Sequence, residues 1–386
     1  MKQHLLQHLQ KHQEEYYYIV KDLYEHPEIG NQETRSMHVL CDQLEKEGFD
    51  VIREYIVPTG FLAIYKSEKP GPVIAYLCEY DALPEIGHGC GHNLIAGISV
   101  GAGCALKSIL SEIGGEVRVI GTPAEENFGG KVIMAEKHAF DDVDAALMLH
   151  PDTANTLGAR SLAIYPLRFE FHGKNAHACH PENGKSALDA AVMSYMSINL
   201  LRQFARPNTF IHGVITHGGE AANVIPAYAC MDYYFRGETM DYVKELCEKA
   251  KQCVEGACAM TGCTCDISTY ETPYDDCLIN YTLADLLSEE YEELSYSWEK
   301  VDEIPSGSTD VGSVSYCCPT LQGYIKIADE YVNGHSIEMA DATISEKGRQ
   351  ALIDGAYALA NIGRRLIVEK DLLEKAKKEF SQRKEK

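Results

Sequence analysis

The sequence predicts an α/β protein interrupted by an inserted ferredoxin-like α+β domain, on three observations. Short apolar runs alternate with helical patterns over residues 1–164, a strand–helix–strand–strand–helix–strand order fills 165–272, and the first alternation resumes over 273–386. The two outer stretches are each too small to bury a core alone, so together they form one domain and the middle stretch a second. A length of 386 residues fits two domains.

Leu5, Leu6, Leu9, Ile19, Val20 and Leu23 space as one face of a first helix. That helix must end before His26-Pro27, because the residue preceding proline is pushed out of helical backbone. A second helix is expected over 34–47, stopped by Gly48. Strands follow at 60–65, 72–78, 116–120 and 145–149. The apolar run 94–106 is too short to span a bilayer and reads as a buried helix. In the insert, Leu167, Phe169 and Phe171 alternate with Arg168, Glu170 and His172, the period of a strand with one wet face. A helix at 186–204, strands at 209–216 and 227–236, a helix at 241–261 closed by Gly262, and a strand at 264–270 complete the order. Beyond Pro273 come a helix at 278–294, a strand at 320–327, a long helix at 344–367 and a charged tail to Lys386.

Asp and Glu number 58 against 35 Lys and Arg, a net charge of −23. Such a surface repels phosphate backbones and anionic lipid, so neither nucleic acid nor a membrane is an expected partner. A small anionic substrate stays open, because a bound cation reverses the local field. The polar start shows no leader pattern, and the 14 cysteines follow no disulfide framework, which together point to a reducing cytoplasm.

Chemistry-bearing residues recur at strand ends. Cys90 and His92 stand in His88-Gly89-Cys90-Gly91-His92-Asn93, whose glycines allow the backbone to bend both side chains toward one ion. Glu125 and Glu126 follow the strand at 116–120; adjacent carboxylates repel and call for a cation or a shared proton. His150 ends the strand at 145–149, and His335 lies in a loop after the strand at 320–327. Each cluster alone has an ordinary reading: a Gly-rich turn, an acidic helix start, a loop histidine. Recurrence at four strand ends changes the weighing. Thiolate, imidazole and carboxylate together suit zinc, manganese, cobalt or nickel better than calcium or magnesium. Five ligands exceed one tetrahedral ion, and two divalent ions per chain account for them. In the insert His177, Asn223 and Arg236 could each donate to a carbonyl or carboxylate, or simply serve a turn and a strand end.

The ordered set Tyr80-Asp81-Ala82-Leu83-Pro84, His88 to Asn93, Pro123 to Glu126, Leu149-His150-Pro151, His177-Ala178, Asn223 to Pro226 and Gly334-His335-Ser336 resembles the metal-dependent aminoacylase and carboxypeptidase G family, within it the amidohydrolase subfamily of hippurate, auxin-conjugate and aminobenzoyl-glutamate hydrolases. The resemblance implies a binuclear-metal peptidase domain with an inserted lid and dimerisation domain. It implies Cys90, His92, Glu126, His150 and His335 as metal ligands with Cys90 the bridge, Glu125 as general base, and Asp81 as a carboxylate orienting a ligand. It implies His177 as the oxyanion donor, Asn223 and Arg236 as contacts to the substrate carbonyl and carboxylate, and a homodimer or a tetramer of dimers. Asn93 and Glu79 stand where many members carry Asp, and both features resemble the branch of aminobenzoyl-glutamate hydrolases and β-alanyl dipeptidases. Thr122 and Ile337 also depart from the common Gln and Pro. The expected activity is hydrolysis of the amide bond of a dipeptide or N-acyl amino acid by metal-activated water. Two rivals are a metal-independent hydrolase with Cys90 as nucleophile and a non-catalytic metal- or ligand-binding protein on the same scaffold.

Overall fold

The computed structural model describes residues 1–300 and 307–384; Glu385 and Lys386, the end of the charged tail, lie outside the described residues. The chain divides into a first unit of residues 1–160, 277–300 and 310–384 and a second of residues 161–276 and 307–309. These limits fall four residues outside the 165 and 272 read from the sequence. The reason is that Ile164 bridges Tyr274, and the Asp276 carboxylate accepts the Met240 N–H at 3.0 Å.

The first unit opens with α1 (Lys2–Glu25) and α2 (Thr34–Lys46), then β1 (Asp50–Arg53), β2 (Phe61–Lys66), β3 (Val73–Cys78), α3 (His92–Ile113), β4 (Glu116–Gly121), α4 (Gly130–Glu136) and β5 (Ala145–Asp152). The second unit holds β6 (Ala163–His172), β7 (Ala176–His177), α5 (Ala187–Leu200), β8 (Phe210–His217), β9 (Val224–Ile225), β10 (Tyr228–Gly237), α6 (Met240–Thr261) and β11 (Thr264–Ser268). The chain then returns to the first unit with α7 (Tyr281–Glu293), α8 (Val311–Ser315), β12 (Thr320–Lys326), α9 (Ile337–Thr343), α10 (Glu346–Val368) and α11 (Lys370–Lys384).

The first unit's sheet runs β1-β2-β4-β3-β5-β12. Strands β4, β3, β5 and β12 are parallel, whereas β1 and β2 join antiparallel. The short edge strand β1, polar at both ends, is not anticipated by the sequence reading; its partner β2 defines it. Helix α3 is the hub. It is long and apolar enough to cross a bilayer, and here most of its residues are buried inside the unit. Glycines let its neighbours come close. A Cβ on Gly97 would lie 2.5 Å from Val20 of α1 and 2.8 Å from Leu352 of α10, and one on Gly103 would lie 2.4 Å from Val119 of β4.

The single helix expected at 344–367 is two. Ser345 ends the first and caps α10, its hydroxyl accepting the Gly348 N–H at 3.0 Å. The charged tail is helix α11, with Leu373 and Ala376 buried and Glu379 accepting the Tyr281 and Thr282 N–H groups at the start of α7.

In the second unit the sheet order β11-β6-β10-β8 is antiparallel throughout, the ferredoxin-like arrangement. Leu167, Phe169, Phe171, Met231 and Phe235 pack in one core with Ala190, Ile198, Val243, Leu246 and Val254 of α5 and α6. The two-residue ribbon β7–β9 is also absent from the sequence reading.

Candidate metal centre

Because β4, β3, β5 and β12 run parallel, their carboxyl ends open on the same side of the sheet, where α/β folds place their ligands. From β3 the chain passes through Glu79 and Asp81 and turns back into α3 at Gly91, which adopts a left-handed φ of 81°. A Cβ on Gly91 would sit 2.3 Å from Pro151 Cγ, so only glycine lets Cys90 and His92 close on His150. The Gly89 carbonyl accepts the His335 N–H at 2.9 Å, tying the loop after β12 to the same turn.

The turn after β4 is held from beneath. Ala124 has φ 62°, and its N–H donates to buried Glu33 at 2.9 Å. The other Glu33 oxygen accepts the Thr59 hydroxyl at 2.8 Å. Asp81 Oδ2 accepts the Glu126 N–H at 3.0 Å, while Asp81 Oδ1 lies 2.9 Å from His92 Nδ1. Asp81 thereby joins two turns and fixes the proton of His92 on Nδ1, leaving Nε2 as a lone pair. His150 is set likewise: Nδ1 donates to the Pro151 carbonyl at 2.8 Å and Nε2 lies 3.5 Å from Cys90 Sγ.

Three donor groups result, each with all its ligand atoms within 4.8 Å of one another: Cys90, His92 and His150; Cys90, Glu126 and His335; His92, Glu125 and Glu126. Cys90 is common to the first two. His335 Nε2 lies 3.4 Å from Glu126 Oε1. His92 Nε2 and Glu126 Oε1 are buried without a hydrogen-bond partner among the described residues. Buried polar atoms left unsatisfied are costly, and a thiolate, imidazoles and a carboxylate facing one another fit divalent cations. His88 is buried but belongs to none of the three groups.

Behind the donors lies a dry charged layer. Lys131, fully buried, places Nζ 2.6 Å from Glu79 Oε1 and 2.7 Å from Asp310 Oδ1. Glu79 Oε2 in turn approaches His92 Nε2 at 3.4 Å. Burial pushes Asp310 up to about 6; burial also opposes the charge of Glu79, but Lys131 and His92 hold that carboxyl below its ordinary value. Burial raises Glu125 well above the usual carboxylate range, reinforced by Glu79, Asp310 and Glu126. Burial pushes the Cys90 thiol up to about 12, against the pull of His92.

Glu33, Lys131 and Asp310 escape the sequence reading. Glu33 precedes a helix and looks like a cap, Lys131 follows Gly129-Gly130 like a surface lysine, and Asp310 lies in a polar stretch; no local signal marks them.

The remaining site candidates lie in the second unit. His177 and Asn223 meet at the β7–β9 ribbon, where the Ala178 N–H donates to the Asn223 carbonyl at 3.0 Å. His177 Nδ1 accepts the Cys179 N–H at 3.1 Å, so its neutral ring carries the proton on exposed Nε2. Arg236, near the end of β10, donates to Ser308 Oγ at 3.1 Å.

A model of peptidase family M20/M25/M40 matches residues 78–355. The Xaa-Arg dipeptidase of Mus musculus is 36% identical over 371 residues, covering 92% of this chain and 86% of the relative. A p-aminobenzoyl-glutamate hydrolase polypeptide of Escherichia coli (strain K12) is 35% identical over 301 residues, covering 72% of this chain and 61% of the relative. A solved Bacillus subtilis structure, described as a dinuclear metal binding peptidase from the M20 family, has the same fold with a TM-score of 0.66, 21% identity, and coverage of 93% of this chain and 99% of that one.

Proposed function

Because the chain belongs to peptidase family M20/M25/M40, we propose that it is a binuclear-metal hydrolase cleaving the amide bond of dipeptides or N-acyl amino acids. The observation that carries the reading is the pair of donor groups sharing Cys90, with Glu125 in a third group beside them. Cys90, His92 and His150 would hold one divalent ion, and Cys90, Glu126 and His335 a second. The donor set favours zinc or manganese, with cobalt or nickel next. Such ions, when bound, polarise a carbonyl and bring the pKa of water from about 15.7 toward 7.

The chain's own groups do the rest. Glu125 takes the proton of the attacking water and returns it to the leaving nitrogen; its raised affinity for protons suits both roles. Asp81 holds His92 by one oxygen and the Glu126 turn by the other. His177 offers its Nε2 proton to the developing oxyanion, and Asn223 and Arg236 take the substrate carbonyl and carboxylate. The Xaa-Arg and aminobenzoyl-glutamate relatives differ in the charge of the released amino acid, so both substrate types belong in the first panel. We read the protein as a homodimer, on an exposed row of Val192, Met196, Leu200 and Phe204 along and just beyond α5. The unpatterned thiols keep the reducing cytoplasm as its proposed compartment.

The test is metal content beside turnover. Wild type should hold about two ions per chain, and Cys90→Ala one or none. Glu125→Gln should keep both ions while turnover falls roughly 10²- to 10⁴-fold. A wild type that turns over undiminished in chelator would overturn the reading in favour of a Cys90 nucleophile. That rival is disfavoured by a thiol pushed up to about 12, since thiolate is the attacking species. Metal-loaded protein inert across the panel would leave the non-catalytic binding role.

A further inference from the structure

A second histidine cluster lies outside the centre described above. His8 and His12 stand one turn apart on α1, the spacing that points two imidazoles from one helix face at a single ion. Their rings stack at 4.7 Å. Glu47, at the C-terminal end of α2, brings a carboxylate oxygen to 3.6 Å from His12 Nδ1. The three ligand atoms all lie within 4.8 Å of one another. We propose that His8, His12 and Glu47 form a further divalent-cation site, suited to zinc, that clamps the first helix to the end of the second.

The donor set is two imidazoles and one carboxylate, a known zinc set with a fourth position left for water. Donors around tetrahedral zinc lie roughly 3.4 Å apart, so side-chain adjustment of about an ångström closes the site. The cluster is partly buried: the side chains of His12 and Glu47 are 18% and 11% exposed. The Tyr16 hydroxyl lies 3.0 Å from His8 Nε2, the outer partner by which a ligating histidine fixes its tautomer. Burial first, then His12, Lys107 and Lys11, push His8 down to about 4, so the ring is neutral at pH 7 and binds without first losing a proton. Lys107, bound to the Glu47 carbonyl, opposes a second cation. Glu15 offsets it, lying 3.1 Å from His12 Nδ1 and kept ionised by Lys46.

The experiment is a zinc count per chain after equilibrium dialysis of the full protein against Zn²⁺, read by mass spectrometry. His12→Gln and Glu47→Gln are compared with wild type, and His4→Gln, an exposed histidine outside the cluster, serves as control. The expected result is one zinc fewer in His12→Gln and in Glu47→Gln, none lost in His4→Gln, and a smaller zinc-induced rise in Tm in the two cluster variants. Because the readout is a difference, it stands whatever the count at the Cys90 centre. Equal zinc in wild type and both cluster variants, a deficit above one ion, or the same loss in His4→Gln overturns the proposal.

Discussion

Glu33 and Lys131 lie behind the donors, and each fixes something that a donor needs. Glu33 accepts the N–H of Ala124 and the hydroxyl of Thr59, and so pins the left-handed turn that presents Glu125 and Glu126. Glu33→Ala leaves two buried donors unpaired, at about 1–3 kcal/mol each. The expected outcome is a drop in kcat with KM little changed, rescued in part by Glu33→Gln; steady-state kinetics check it. Burial, with Asp81 nearby, also pushes Glu33 up to about 7 from an ordinary 4.5. The folded chain therefore holds this proton more tightly than the unfolded one. Its contribution to stability is complete below pH 4.5 and is lost as pH rises through 7, a change of roughly 3 kcal/mol. Glu33→Gln should flatten that slope, as urea denaturation at pH 5 and pH 8 would reveal. Lys131 is the cation between Glu79 and Asp310. Lys131→Met strands both carboxylates in the interior and should cost about 3–5 kcal/mol, measured by thermal denaturation.

At the level of elements, the start of α3 is the most constrained point in the first unit. Gly91→Ala places a side chain in left-handed backbone, at about 1–2 kcal/mol, and drives it into Pro151. The turn must open, separating Cys90 from His150. The variant should lose at least one bound ion while its circular dichroism stays native, a result that metal analysis and spectroscopy together provide. The same element shows what the sequence makes legible. An apolar run with glycines, preceded by Cys90 and His92, reads as a buried helix with chemistry at its start because both signals are local. The other strand ends are legible for the same reason: Glu126, His150 and His335 are rare residue types in turns that follow apolar strands. Lys131 and Asp310 are 179 positions apart, and nothing within either segment marks the pair. Strand β1 and the β7–β9 ribbon are too short to carry a period; their partners define them. The charged tail looks solvated, yet Leu373 and Ala376 dock it and Glu379 caps α7.

For the whole molecule, the exposed row on α5 matters most. Leu200 and Phe204 are 68% and 81% exposed, and the edge strand β8 adds Val214 at 60%. Large apolar side chains at such exposure, beside an unpaired strand edge, mark an association surface. Leu200→Glu with Phe204→Glu should convert a dimer to monomers in light scattering, leaving the second unit folded. The tie between Gly89 and His335 carries a different consequence, one of timing. The donors Cys90 and His335 stand 245 positions apart, with the whole second unit encoded between them. At about 5–20 residues per second, a ribosome delivers the last donor roughly 12–50 seconds after the first. Throughout that interval the nascent chain carries a bare thiol and a half-built cage, so metal loading belongs to the end of translation, and its supply must be matched to finished chains.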